Sequence, residues 1–246
     1  MHADSPPAGG TDRFDRVVEV DGVVNVRDAG GLPIADGGSL RRCRLFRSAN
    51  LHALADPGAL EALGIRTVVD LRRPDECERE PTPDLGPIEV VLNPVNIKAT
   101  EVEGSLGLLA LYDRILGHHG AEIASGVDAV ADRVAGGVLV HCTAGKDRTG
   151  LVIGLIQSLL GVDDEHVIDD FALTGRYVRE LVEHQKLALQ SRGVDGLPDE
   201  LFEAPAPVMV ETFARLRAAS GSIPEAAADL GVSSTSVERL RAGLTG

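Results

Sequence analysis

The sequence predicts an α/β sandwich: a central, mostly parallel sheet flanked by helices, with a peripheral helical insertion. Three observations carry that expectation. Runs such as Thr67-Val68-Val69-Asp70-Leu71 and Gly137-Val138-Leu139-Val140-His141 have the near-continuous apolar, β-branched character of strands buried on both faces. Between them lie segments with apolar residues at three- and four-residue spacing, the signature of helices with one face in a core. Strands that alternate with helices favour a layered α/β domain over a sandwich of two sheets.

Residues 1–12 are rich in Pro, Gly and polar side chains and read as a disordered leader, leaving 13–246 as a single domain. Over residues 16–20, valine and charge alternate as in a strand. The string Asn25-Val26-Arg27-Asp28-Ala29-Gly30-Gly31-Leu32-Pro33 is turn-rich, its glycine pair suited to positive φ. Leu45-Phe46-Arg47-Ser48 reads as a short strand leading to a helix over 56–63, with Pro57 in the favoured first turn. After the strand at 67–71, Arg72-Arg73-Pro74-Asp75-Glu76 is expected to be loop, because the residue before proline avoids helical geometry. Residues 88–92 form another strand, and 106–117 and 121–135 two helices. The strand at 137–141 leads through a glycine-bearing loop to a helix over about 149–160, apolar nearly all round and therefore buried. Residues 174–205 are more polar and broken near Gly193 and Pro198; they fit either a peripheral helical pair or a lid over the site. A helical hairpin is expected over 221–246.

The formal net charge of −14 disfavours a general nucleic-acid binder, which needs a basic footprint. Any site for an anionic substrate must therefore be made locally positive against an opposing field. There is no Trp, so the core is built mainly from Val, Leu, Ile and Ala. The longest apolar stretch, 151–160, is too short to span a bilayer, and the N-terminus lacks the basic and apolar regions of a secretory signal. Three cysteines, Cys43, Cys77 and Cys142, make no complete disulfide framework and suit a reducing compartment, hence a cytoplasmic location, with signal-less export left open.

The chemistry concentrates in His141-Cys142-Thr143-Ala144-Gly145-Lys146-Asp147-Arg148-Thr149-Gly150. A thiolate that accepts a phosphoryl group must lie at a helix N-terminus among cationic or donor groups. It also needs backbone N–H groups and a planar fork donor converging on the phosphate oxygens. Cys142 follows a strand and precedes a helix. Thr143 through Arg148 supply N–H groups, Gly145 the backbone freedom, Arg148 the guanidinium and Thr149 a hydroxyl for the thiolate. A merely structural Cys142 leaves the Gly, Lys and Arg that follow it unexplained. A nucleotide-binding Walker loop fails, since Asp147 follows Lys146 where Ser or Thr is required.

His141-Cys142, five residues, then Arg148-Thr149 resembles the signature of protein tyrosine phosphatases. The wider pattern is similar to the bacterial tyrosine/serine phosphatase family of the mycobacterial protein tyrosine phosphatase B type. It includes residues 25–31, Phe46-Arg47-Ser48-Ala49, Val69-Asp70-Leu71-Arg72, the loop, Asp170-Phe171 and Glu238-Arg239-Leu240-Arg241. The resemblance implies that family's sandwich fold. It also implies hydrolysis of phosphate monoesters through a phosphocysteine on Cys142, without metal or cofactor. The expected substrates are phosphotyrosine, phosphoserine/threonine or phosphoinositides. Arg148 and the loop from Thr143 to Thr149, including Ala144 and Gly145, would hold the phosphoryl group, with His141 fixing the loop. The usual Trp-Pro-Asp acid is absent. Asp147, analogous to the loop aspartate of myotubularins, is the first choice of general acid. Asp70 is the second, or else orients Arg148 or Lys146; Asp28 and Asp113 rank lower. Lys146 either reads a further phosphate on an inositol ring or simply raises the local potential, and Arg72 and Arg73 could extend a positive rim.

Two different-class readings stand beside the enzyme. One is a non-catalytic phosphate-binding module, against which Cys142, Asp147 and Arg148 are all intact. The other is DNA binding through residues 222–237, which resemble a helix-turn-helix; their second helix offers few basic or amide side chains, which favours a packing hairpin.

Overall fold

The computed structural model describes residues 16–97, 107–177 and 203–246. Its sheet has five strands: β1 (Arg27–Asp28), β2 (Leu45–Ser48), β3 (Ile65–Asp70), β4 (Glu89–Leu92) and β5 (Gly137–His141). They lie in the order β1-β2-β5-β3-β4. β5 is hydrogen-bonded in parallel to β2 and β3, β4 runs parallel to β3, and only the short β1 is antiparallel. A parallel sheet needs both faces covered, and the period-two alternation of side chains provides for it. Val138 and Val140 of β5, with Val69 of β3, enter one apolar cluster; Leu139 and Val68 enter the cluster on the opposite face.

The helices are α1 (Gly58–Ala62), α2 (Pro74–Arg79), α3 (Leu108–Ala131), α4 (Asp147–Leu159), α5 (Asp164–Leu173), α6 (Ala206–Ser220), α7 (Ile223–Leu230) and α8 (Ser234–Leu244). α4 is the helix that the sequence marks as buried. From Arg148 to Leu159 every residue but Ser158 is buried, and α3, α6 and α7 contribute to the cluster around it. Ser222 and Ser233 cap α7 and α8 by accepting the backbone N–H groups of Glu225 and Ser236. Between them Gly231 takes the left-handed conformation that ends a helix. This is the expected hairpin, and α8 lays Leu240 and Leu244 into the core.

The expected pair of helices is α3, whose two segments meet at a kink at His119 (φ −125°, ψ 18°). Beside the kink, Gly120 is a point of close approach: a β-carbon there would lie 2.4 Å from the Leu230 side chain. Two expectations change. Residues 72–76 are not all loop. Arg73 is extended, as the proline rule requires, but Pro74 opens α2 at the position where its missing N–H does no harm. Residues 16–20 make only isolated bridges, Val17 to Arg27 and Val20 to Val23. The leader at 1–12 lies outside the described residues, as does most of 174–205. No helix among the described residues is long and apolar enough to cross a membrane.

Phe213 of α6 is fully buried, and a β-carbon on Gly154 of α4 would lie 3.1 Å from its ring. Phe213→Ala should lower stability by about 3–5 kcal/mol in urea unfolding, because the cavity opens where two helices meet closely. A loss below about 1 kcal/mol would show that this contact does not hold α6 to α4.

Candidate active site

The loop between β5 and α4 stands at the carboxyl edge of the sheet, with β2 and β3 on either side of its supporting strand. This is where open α/β sheets place ligands. Its shape follows from where its carbonyls are held. The Thr143 carbonyl accepts from the Asn50 backbone N–H at 3.0 Å. The Ala144 and Gly145 carbonyls accept from Asn25 Nδ2 at 3.1 and 3.2 Å, and Gly145 also from Arg47 Nη2 at 2.8 Å. A trans peptide directs its N–H opposite to its C=O. Anchoring these three carbonyls to the body of the protein therefore turns the N–H groups of Ala144, Gly145 and Lys146 to the other side, a nest for an anion. Gly145 has φ +64°, and a β-carbon there would lie 2.1 Å from the Ser48 carbonyl oxygen, so only glycine fits. α4 begins at Asp147, which adds the positive end of its dipole.

Cys142 is buried, and so is the full ring of His141. His141 Nδ1 lies 3.1 Å from the Cys142 carbonyl, which can only accept, so this nitrogen carries the proton. Burial keeps the imidazole below its ordinary pKa although Asp70, 3.6 Å from Nε2, opposes the shift. Asp70 itself belongs to Arg72: the guanidinium donates to both carboxylate oxygens at 2.7–3.1 Å, and the Arg72 backbone N–H adds a third partner. Burial works against the Asp70 charge, but His141 and Arg72 hold the carboxyl below its usual range. The structure thus places Asp70 on Arg72, not on Arg148 or Lys146. Arg72 is buried and cannot form a rim; Arg73 donates to Asp75 and to the Ile97 carbonyl.

Arg148 has a partner that sequence reasoning missed. Its Nη1 and Nη2 donate to Glu76 Oε2 and Oε1 at 2.7 and 2.9 Å, while Thr143 Oγ1 donates to Glu76 Oε1 at 2.7 Å. Nη1 also reaches the Leu71 carbonyl. Burial opposes charge on Glu76, but Arg148 holds its carboxyl far below the ordinary range, and Glu76 in turn keeps Arg148 firmly protonated. Lys146 donates from Nζ to the Glu203 carbonyl at 2.9 Å and lies 3.3 Å from Asp147 Oδ1. Burial and the neighbouring Asp147 carboxylate push the Tyr112 phenol well above its ordinary pKa. The Thr149 hydroxyl is buried with no hydrogen-bond partner among the described residues.

Beneath the loop three arginines converge on Asp170, all of them almost wholly buried. Arg16 Nη1 donates to Oδ1 at 2.8 Å, Arg27 Nε to Oδ1 at 3.3 Å and Arg47 Nη1 to Oδ2 at 2.8 Å. Arg27 also bonds the Asp170 carbonyl, the Thr174 hydroxyl and Asn25 Oδ1. The available signal for these residues was a charge at a position where the pattern demands an apolar side chain, as with Arg47 inside a buried strand. Of the weaker acid candidates, Asp28 accepts the N–H groups of Gly30 and Cys43, and Asp113 pairs with Arg215. Cys43 is exposed and Cys77 half-buried; both are free thiols, like Cys142.

Comparison with known proteins agrees with this geometry. Residues 18–246 match the model of a tyrosine phosphatase family. A tyrosine-protein phosphatase of Nostoc commune is 33% identical over 54% of this chain and 48% of its own length. A tyrosine-protein phosphatase assigned in Cupriavidus necator is 34% identical over 61% of this chain and 60% of its own. The triple specificity protein phosphatase PtpB of Mycobacterium tuberculosis is 28% identical over 94% of this chain and 99% of its own length. The chain thus spans about half to three fifths of the first two relatives and nearly all of the third. With a family match over most of its length and the loop built as described, the chain belongs to the tyrosine phosphatase family.

Proposed function

We propose that this chain is a cysteine-dependent phosphatase that hydrolyses phosphate monoesters through a phosphocysteine intermediate. The observation that carries the reading is the set of three loop carbonyls held away from the cradle, which turns their N–H partners toward a phosphoryl group above Cys142, with Arg148 held beside the loop by Glu76. In the first step Cys142 Sγ attacks phosphorus in line and the bond to the leaving oxygen breaks. In the second, water attacks the phosphocysteine, releasing phosphate and restoring the thiolate. Thr149 offers its unpartnered hydroxyl to that thiolate. Glu76 presents the Arg148 fork, and the N–H nest stabilises the transferring group, where most of the catalysis lies.

Asp147 is the acid that protonates the leaving oxygen. It stands at the first position of α4 within the loop, whereas Asp70 is saturated by Arg72 and acts through His141 to shape the loop. Lys146, at the same edge, is buried on the Glu203 carbonyl and Asp147 and raises the local positive potential. We read phosphotyrosine as the substrate, with phosphoserine/threonine and phosphoinositides beside it; PtpB is named for a triple specificity. Three free thiols fit a reducing compartment, and we place the protein in the cytoplasm. Its partner is the phosphorylated substrate rather than nucleic acid.

Turnover of p-nitrophenyl phosphate should vanish in Cys142→Ser while phosphate binding persists; retained turnover would refute the mechanism. A panel of phosphotyrosine peptide, phosphoserine peptide and phosphoinositides then ranks the substrates. Asp147→Asn should slow alkyl phosphates by about 10²–10⁴-fold but p-nitrophenyl phosphate far less, since a good leaving group needs no proton. Asp70→Asn should slow both alike, and the reverse pattern would move the acid to Asp70. Glu76→Gln should cut kcat about tenfold or more by loosening the Arg148 fork. Because the Glu76 carboxyl is held low, its stabilisation is complete above the ordinary glutamate pKa of about 4.3 and is lost as pH falls below it. Urea melts between pH 5 and 3 should therefore be flatter for Glu76→Gln than for the natural chain.

A further inference from the structure

We infer that Arg47, Arg27 and Asp170 are positioning residues that charge the phosphate cradle from beneath, Arg47 acting through the Gly145 carbonyl. The inference rests on the reading of the loop as a phosphate site. Its basis is a buried imbalance. Arg16, Arg27 and Arg47 gather around one carboxylate, and the next carboxylate, Asp28, is matched by Arg42. Among the described residues two guanidinium charges are left in excess, in a buried part of the molecule. A chain with net charge −14 has placed this excess against the one loop where an anion must be held. Counter-ions screen surface charge but hardly reach a buried set, so its field acts on the cradle at any ordinary salt concentration.

The route is specific. Arg47 spans the two systems, donating from Nη1 to Asp170 and from Nη2 to the Gly145 carbonyl. That carbonyl shares its peptide with the Lys146 N–H. A cation bonded to the oxygen draws electron density from the nitrogen and makes its N–H a stronger donor. Arg27 fixes Asn25 through its side-chain and main-chain oxygens, and Asn25 holds the Ala144 and Gly145 carbonyls. Burial and Arg47 bring the Arg27 pKa down to about 9, as expected where cations crowd one carboxylate. It remains charged at neutral pH.

A structural hub and an electrostatic one make opposite statements about sign. The test is the Ki of inorganic phosphate as a competitive inhibitor of p-nitrophenyl phosphate hydrolysis, measured well below each variant's melting midpoint. Arg47→Met should raise Ki about tenfold, Arg47→Lys, which keeps the charge, by no more than about threefold, and Asp170→Asn should lower it about threefold. Equal weakening by Arg47→Met and Arg47→Lys would overturn the proposal, as would an Asp170→Asn variant that binds phosphate more weakly than the natural chain. If Asp170→Asn does not fold, the two Arg47 variants decide. If those fail as well, Arg16→Gln decides, since it removes a charge without touching the loop and should raise Ki about twofold. A natural chain that neither turns over the ester nor binds phosphate would refute the phosphatase reading itself. An active natural chain with no sign-dependent response refutes only this inference.

Discussion

The structure is organised around the carboxylate of Asp170 and the three guanidinium groups that surround it. Taking such charges out of water is expensive, and a set of this kind persists only when each member is hydrogen-bonded on several sides. Here they are. Arg16 arrives from the N-terminal segment, Arg27 from β1, Arg47 from β2, and Asp170 from α5. One buried point therefore ties together four segments that the sheet and helices alone would leave loosely related. Removing Asp170 would strand the three guanidinium groups uncompensated, so the arrangement specifies a single geometry more than it adds stability.

That geometry is passed to the loop after β5 through carbonyl groups. Asn25 and Arg47 hold the outward side of the loop, and planar peptides convert this into an inward array of N–H donors. A second set works from the opposite flank: Glu76 holds Arg148 and Thr143, and Asn50 holds the Thr143 carbonyl. The loop is thus clamped by residues from before β1, from β2 and its following turn, and from α2. Asp70 and Arg72 serve His141, one further step from the chemistry.

Much of this could be read from the sequence, and what could not has physical reasons. The strand before Cys142, the loop and the buried helix after it are local patterns, and they appear where periodicity and glycine placement put them. The clamps are contacts over long sequence separations and leave no local trace. Glu76 was hidden by Pro74: the proline rule correctly makes Arg73 extended, yet the same proline starts a helix one residue later. The paired helices before and after His119 were legible from their apolar spacing, and Gly120 beside the kink lets Leu230 approach closely. Lys146 and Asp147 lie in the loop itself, where neighbours in sequence are also neighbours in space. The arginines of the hub stood in plain view as charges within apolar strands, but a charge in a strand does not say which carboxylate awaits it.

The clamps on the loop also bear on how the protein folds. The bonds from Asn25 and Arg47 to Ala144 and Gly145 join residues 98 to 120 positions apart. Contacts of this kind form only after a large loop closure has been made. β5, the loop and α4 are contiguous and can come together by local contacts, but without the N-terminal third their carbonyls have no anchors. A complete cradle is accordingly a property of the completed topology, and a C-terminal fragment retaining Cys142 and Arg148 would lack the anchors that shape its loop. Phosphate binding recovered on refolding would report the docking of residues 16–50 onto the rest.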